Sequence, residues 1–178
     1  MVKLKQVKQT HIIGVIFTTG MGVLLHFLYE WSGRNRIAAL FSAVNESVWE
    51  HLKLLAIPFV LFGIYEYYAY GREKVNFLPA KFYAMLMGFC TIIVLYYVYT
   101  GILGYGIDAI NILIFPISVS VSYYFSARWL KHGVFSRKDQ STTAVMFLIL
   151  LMLCFWVFTT MPPKIGLFMD PRTGQYGI

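Results

Sequence analysis

An all-α integral membrane fold, with about five spanning helices and one interfacial amphipathic helix between the first two, is predicted by three observations. The 178-residue chain is 58% hydrophobic and only 13% charged, which is more apolar surface than a soluble domain of this size buries. Its apolar residues gather into five runs, each close to the roughly 20 residues that cross a bilayer core about 30 Å thick. The runs are long and rich in Leu, Ile, Phe and Tyr, unlike the alternating segments of about ten residues that build an outer-membrane barrel. Helices in lipid follow.

Taken in order, the spans are expected at about 11–31, 52–70, 79–100, 107–127 and 142–161, forming a single transmembrane domain over 1–178. The first follows Lys3, Lys5 and Lys8 as a signal peptide would, but it is too long and lacks a small-residue cleavage site before Ser32, so it is expected to be retained. Along it Gly14, Thr18, Gly22, His26 and Glu30 recur every four residues and share one ridge. The small residues allow close helix contact, and His26 and Glu30 lie one turn apart near the end.

The link to the second span is unusually long. Ile37, Leu40, Phe41, Val44 and Val48 recur within it at helical spacing, which predicts an interfacial helix over about 35–48. A re-entrant hairpin is the alternative. Ser47-Val-Trp-Glu50 fits a capping box at the start of the second span, and Pro58 should loosen the carbonyl one turn earlier. The link Gly101-Ile-Leu-Gly-Tyr-Gly106 reads as a tight turn. In the fourth span Ser118, Ser122 and Ser126 share a side, as tightly packed helices require. Two prolines end the fifth span, Asp170-Pro171 starts a turn, and the apolar tail 162–178 should fold back over that end of the bundle.

The net charge of +7 comes from residues scattered among short loops, so topology explains it better than nucleic acid, which is not an expected partner. With the N-terminus cytoplasmic, Lys3, Lys5, Lys8, Arg72, Lys74, Lys81, Arg128, Lys131, Arg137 and Lys138 lie inside. Arg34, Arg36, Lys53, Lys164 and Arg172 lie outside. The positive-inside rule then predicts a multi-pass protein of the cytoplasmic membrane with its C-terminus extracytoplasmic. Cys90 and Cys154 fall inside spans, where a disulfide is not expected and small buried hydrophobes are.

Most of the eight acidic residues fall on the outer side, against the basic bias. Ionisable groups beside apolar spans are costly and mark where function would sit. The candidate ligands of a divalent metal are His26, Glu30 and His51, and Glu46 or Glu50 is the candidate general base that would activate water. Asn45, Asp108, Asn111 and Asp170 complete the polar set. The spacings His-x-x-x-Glu and Glu-x-x-x-Glu-His are compatible with metal ligation without being specific to it. For Glu50 and Glu46, helix capping competes with these roles.

Three stretches carry a resemblance: His26-Phe-Leu-Tyr-Glu-Trp-Ser-Gly33, the 45–53 segment Asn-Glu-Ser-Val-Trp-Glu-His-Leu-Lys, and 162–177 with the pattern Pro-Pro-x-x-x-Leu-Phe-x-Asp-Pro-x-Thr-Gly-x-Tyr-Gly. Together they resemble an uncharacterised family of small bacterial polytopic membrane proteins, a domain of unknown function. The resemblance implies a bacterial membrane protein and no particular activity.

Three readings of the outer cluster stand. It is a metal- or ligand-binding site acting on lipid or envelope molecules. Alternatively it captures a cation or cationic solute for a small transporter, with Glu66 or the serine ridge extending a polar path, and with further copies or a partner membrane subunit completing the assembly. In the third reading it is a salt-bridge network with Arg34, Arg36 and Lys53 in a non-catalytic scaffold.

Overall fold

A computed structural model describes residues 4–178, and side chains from Gln9 onward except that of Lys138. The charges of Lys3, Lys5, Lys8 and Lys138, which contribute to the expected orientation, lie outside the described residues. The described chain is all-helical: α1 (Leu4–Trp31), α2 (Arg36–Ala39), α3 (Val48–Ala69), α4 (Phe77–Leu103), α5 (Asp108–His132) and α6 (Lys138–Thr160). Five of them, all but α2, are long and apolar enough to cross a membrane.

Local chemistry sets the helix ends. Ser47 caps α3, its hydroxyl accepting from the Glu50 N–H at 3.4 Å. Gly104 ends α4 in the left-handed region (φ +79°), its N–H on the Thr100 carbonyl, a conformation that costs glycine little. The Tyr99 hydroxyl then closes the α4–α5 turn, accepting from the Ile107 N–H and donating to Asn111.

Helix α3 is the most buried span. It packs against α1 on one side and α4 on another, with α5 closing on α1 and α4 and with α6 lying along α4. Leu55, Ala56, Phe59, Met85 and Val119 form the centre of the core. Small residues set the close crossings. Gly14 lies on the Tyr123 ring, and Gly88 lies on Ser122, whose hydroxyl turns back to the Ser118 carbonyl. At Gly22 a Cβ would stand 2.8 Å from the Leu54 carbonyl oxygen. That is the carbonyl Pro58 leaves without its i+4 donor. Ile16, Ile102, Ile112 and Met146 point outward, consistent with contact with lipid.

The linker differs from its expected 35–48 helix, because α2 stops at Ala39. Lys53 explains the stop: its Nζ donates to the Ala39 carbonyl at 2.9 Å, taking the acceptor that a continuing helix would offer Ala43. Beyond it, the Val44 N–H goes to the Glu50 carboxylate at 3.0 Å and the Ser47 N–H to Asn45 Oδ1 at 3.0 Å. Apolar periodicity survives, but side chains from α3 have claimed the backbone groups. The cysteines are free, and Cys90 is exposed on the outside of α4 instead of buried.

Candidate metal centre

The segment from Asn45 to His51 sends each polar residue to a different task. Asn45 Oδ1 holds the Ser47 N–H, and its Nδ2 donates to the Gly177 carbonyl at 3.1 Å, tying the tail to the start of α3. Only half of the expected capping box forms, because the Ser47 N–H is already held by Asn45 and Glu50 turns elsewhere. The Glu50 carboxylate is buried with Lys53 Nζ at 2.6 Å, and the Thr159 hydroxyl lies 2.9 Å from its other oxygen. With Val44 N–H also bound, the oxygens of Glu50 are committed to structure.

Glu46 and His51, by contrast, face the end of α1. His26 Nε2 lies 3.6 Å from Glu46 Oε1, and His51 Nε2 lies 3.7 Å from Glu46 Oε2. One ligand atom from each of the three lies within 4.8 Å of the others. Two ligands on a tetrahedral ion at about 2.1 Å are roughly 3.4 Å apart. The group therefore has the spacing of a three-ligand site with open positions.

Two further features bear on its chemistry. His51 Nδ1 contacts the Ser47 carbonyl at 2.9 Å, so in the neutral ring Nδ1 carries the hydrogen and Nε2 turns a lone pair toward Glu46. Backbone support of this kind orients metal-ligating histidines. A lone pair facing a carboxylate is relieved only by a proton or a cation between them. Meanwhile the Glu46 carboxyl is held down at about 2 by the His26 ring beside it, against partial burial that would raise it, with the charge of Arg172 adding to the effect. Glu46 is ionised at neutral pH.

The group opens on a cavity of about 610 Å³, bounded by α1, α5, the start of α3, Tyr96 of α4, and Pro171 and Arg172 of the tail. The tail reaches it through its own turn, in which Asp170 Oδ1 accepts from the Arg172 N–H at 2.7 Å and the Gly174 N–H bonds the Asp170 carbonyl. Trp49 anchors that tail, its ring 4.8 Å from Phe168 and 4.9 Å from Phe155. Arg172 then reaches Asp108 at 3.0 Å on the cavity rim.

Of the expected site residues, His26, Glu46 and His51 come together. Glu30 does not join them, since its carboxylate pairs with Arg34 at 3.2 Å on the exposed surface. Asp108 and Asn111 line the cavity, Asn111 held by Tyr99. Asn45 and Asp170 shape the loop and tail.

Sequence reasoning missed a second polar cluster at the opposite end of the bundle. Glu66 is fully buried, bound by the Tyr70 hydroxyl at 2.6 Å and by Lys81 Nζ, with His11 Nε2 at 3.6 Å. Lys81 also lies over the Phe59 and Tyr123 rings, 4.2 and 4.6 Å from their centroids. The available signal is a lysine two residues inside an apolar run, where a charge is costly. On the serine ridge, Ser118 and Ser122 bond the carbonyls four residues earlier on their own helix, and Ser126 meets His11 at 3.2 Å.

Across residues 1–178 the chain matches a family described as Family of unknown function (DUF6512). The chain belongs to that family. No curated protein and no solved structure matches this DUF6512 chain.

Proposed function

We propose that this protein, in the bacterial cytoplasmic membrane with its C-terminus outside, holds a divalent transition metal on His26, Glu46 and His51 and uses it on a lipid or envelope molecule at the outer interface. The observation that carries the reading is two imidazole nitrogens within 3.7 Å of one carboxylate beside a cavity. His₂-carboxylate sets with an open position suit zinc and its neighbours, and a metal so held acts as a Lewis acid on a phosphoryl or carbonyl oxygen. In this reading Glu46 is the third ligand instead of the general base. Glu50 positions the loop that carries it, and Glu30 has no part.

Metal analysis of the purified chain, with cobalt titration followed by its visible spectrum, tests the proposal. One equivalent of metal, lost in His26→Ala and Glu46→Gln, is the expected result. No stoichiometric metal in either the isolated or the zinc-supplemented protein overturns it.

A further inference from the structure

The cavity beside the candidate centre is two-faced. At its interfacial end stand the three candidate ligands with Asp108, Asn111 and Arg172, and the rest of its wall is largely apolar. Val23, Phe27 and Ile112 line it and are nevertheless 49%, 46% and 70% exposed. A residue that both bounds a cavity and faces the outside marks an opening. Val23 and Phe27 belong to α1 and Ile112 to α5, within spans apolar enough to face lipid. Below this level the two helices close, with Gly22 on Phe115, Thr18 hydrogen-bonded to Tyr123 at 3.0 Å, and His11 on Ser126 at 3.2 Å. The cavity has a floor and a side entrance.

Charge narrows the occupant. The centre brings one carboxylate and two imidazoles that ligate as neutral rings, and Arg172 and Asp108, 3.0 Å apart, offset each other. A divalent ion in the centre then makes the polar end net positive, which selects an anionic group. Arg172, supported on the rim by Asp108, offers the forked donor geometry that suits phosphate.

Building on the metal reading, we infer that the site takes an anionic phospholipid bearing a terminal phosphate. The lipid enters sideways between α1 and α5, its chain staying against Val23, Phe27 and Ile112 while the phosphate reaches the metal and Arg172. The occupant is a bilayer lipid and not a soluble phosphate, because the opening lies at the depth of the apolar spans.

The experiment uses the full chain in detergent, with zinc affinity measured first and lipid affinity second. Phosphatidic acid, phosphatidylcholine of the same chains and glycerol phosphate are titrated by native mass spectrometry. The expected result is at least tenfold tighter binding of phosphatidic acid than of the other two, with the advantage abolished by chelation and by Arg172→Gln. Ile112→Trp, at an outward position, should weaken phosphatidic acid at least tenfold and leave zinc affinity unchanged; Val23→Trp serves the same purpose if the first variant loses zinc. Normal zinc binding with equal affinity for the two lipids overturns the inference alone, as does glycerol phosphate matching phosphatidic acid. Absence of zinc binding overturns the metal reading and this one together.

Discussion

Glu46 and Glu66 stand at opposite ends of the bundle, and each faces a histidine from α1, His26 for the first and His11 for the second. Their surroundings then diverge. Glu66 is sealed from solvent and has a resident cation in Lys81 and a phenol in Tyr70. The Tyr70 hydroxyl donates to Glu66 at 2.6 Å. Glu46 is about a third exposed, faces a second imidazole where Glu66 has a lysine, and borders a cavity. A carboxylate that already owns its counter-charge is a finished structural unit. One held ionised between two imidazole nitrogens has room for a cation from outside.

The comparison breaks most sharply at Lys81. Replacing it with Met leaves the buried Glu66 carboxylate without its ammonium partner, which costs about 3–5 kcal/mol. The double variant Glu66→Gln/Lys81→Met should be less destabilised than Lys81→Met alone, since no uncompensated charge remains. Thermal or denaturant unfolding in detergent checks both. If Lys81→Met unfolds like the wild type, the pair is not the structural lock described here.

At the other end the profile should invert. Glu46→Gln should cost about 1–2 kcal/mol, less than Lys81→Met, because solvent screening at a partly exposed group discounts the stabilisation that its lowered pKa implies. Its zinc affinity should fall by more than the roughly 10–100-fold typical of losing a supporting residue around a metal. Calorimetric zinc titration beside a melting curve separates the two effects. A variant that melts early but keeps its zinc would assign Glu46 to the scaffold.

These contrasts also show where a sequence is readable. Hydropathy and length were enough for the membrane class, because each span carries that information within itself. Gly14, Gly22 and the Ser118–Ser126 stripe were legible as close-packing positions for the same local reason. The site was half legible. His26, Glu46 and His51 stood out as ionisable groups beside apolar runs, but i,i+4 spacing favoured Glu30 as the partner of His26. The true neighbour comes from a loop twenty residues on, folded back by Lys53 on Ala39 and Glu50 on Val44. Glu50 itself looked like a cap because its strongest partners outside the local segment include Thr159, a contact that only the closed bundle creates. The pairing of Lys81 and His11 with Glu66 was not legible for that reason too, since Glu66 lies on another helix.

Between the two ends, Asn45 tests whether the tail helps to build the site. Asn45→Ala removes both the acceptor for the Ser47 N–H and the donor to the Gly177 carbonyl, a loss of about 1–2 kcal/mol. Arg172 on the same tail lines the cavity, so protease sensitivity of residues 162–178 should rise along with the loss of stability. An unchanged cleavage rate would mean that Trp49 packing, the Arg172–Asp108 pair and the Ile178 N–H on the Thr159 carbonyl hold the tail without Asn45.

The smallest effect belongs to Glu30, and it separates two ways of reading α1. Its carboxylate pairs with Arg34 across a turn, with side chains 62% and 71% exposed, and such surface pairs contribute about 0–1 kcal/mol. Glu30→Gln should therefore leave both the melting temperature and the zinc affinity within error of the wild type. Because Glu30 sits one turn from His26 on the same ridge, a large loss of zinc affinity would mean that the ligand set runs along α1 and not across to the loop. In that case Glu46 would revert to a salt-bridge partner of the two histidines. The measurement thus decides which carboxylate completes the centre, even though it is expected to show almost no change.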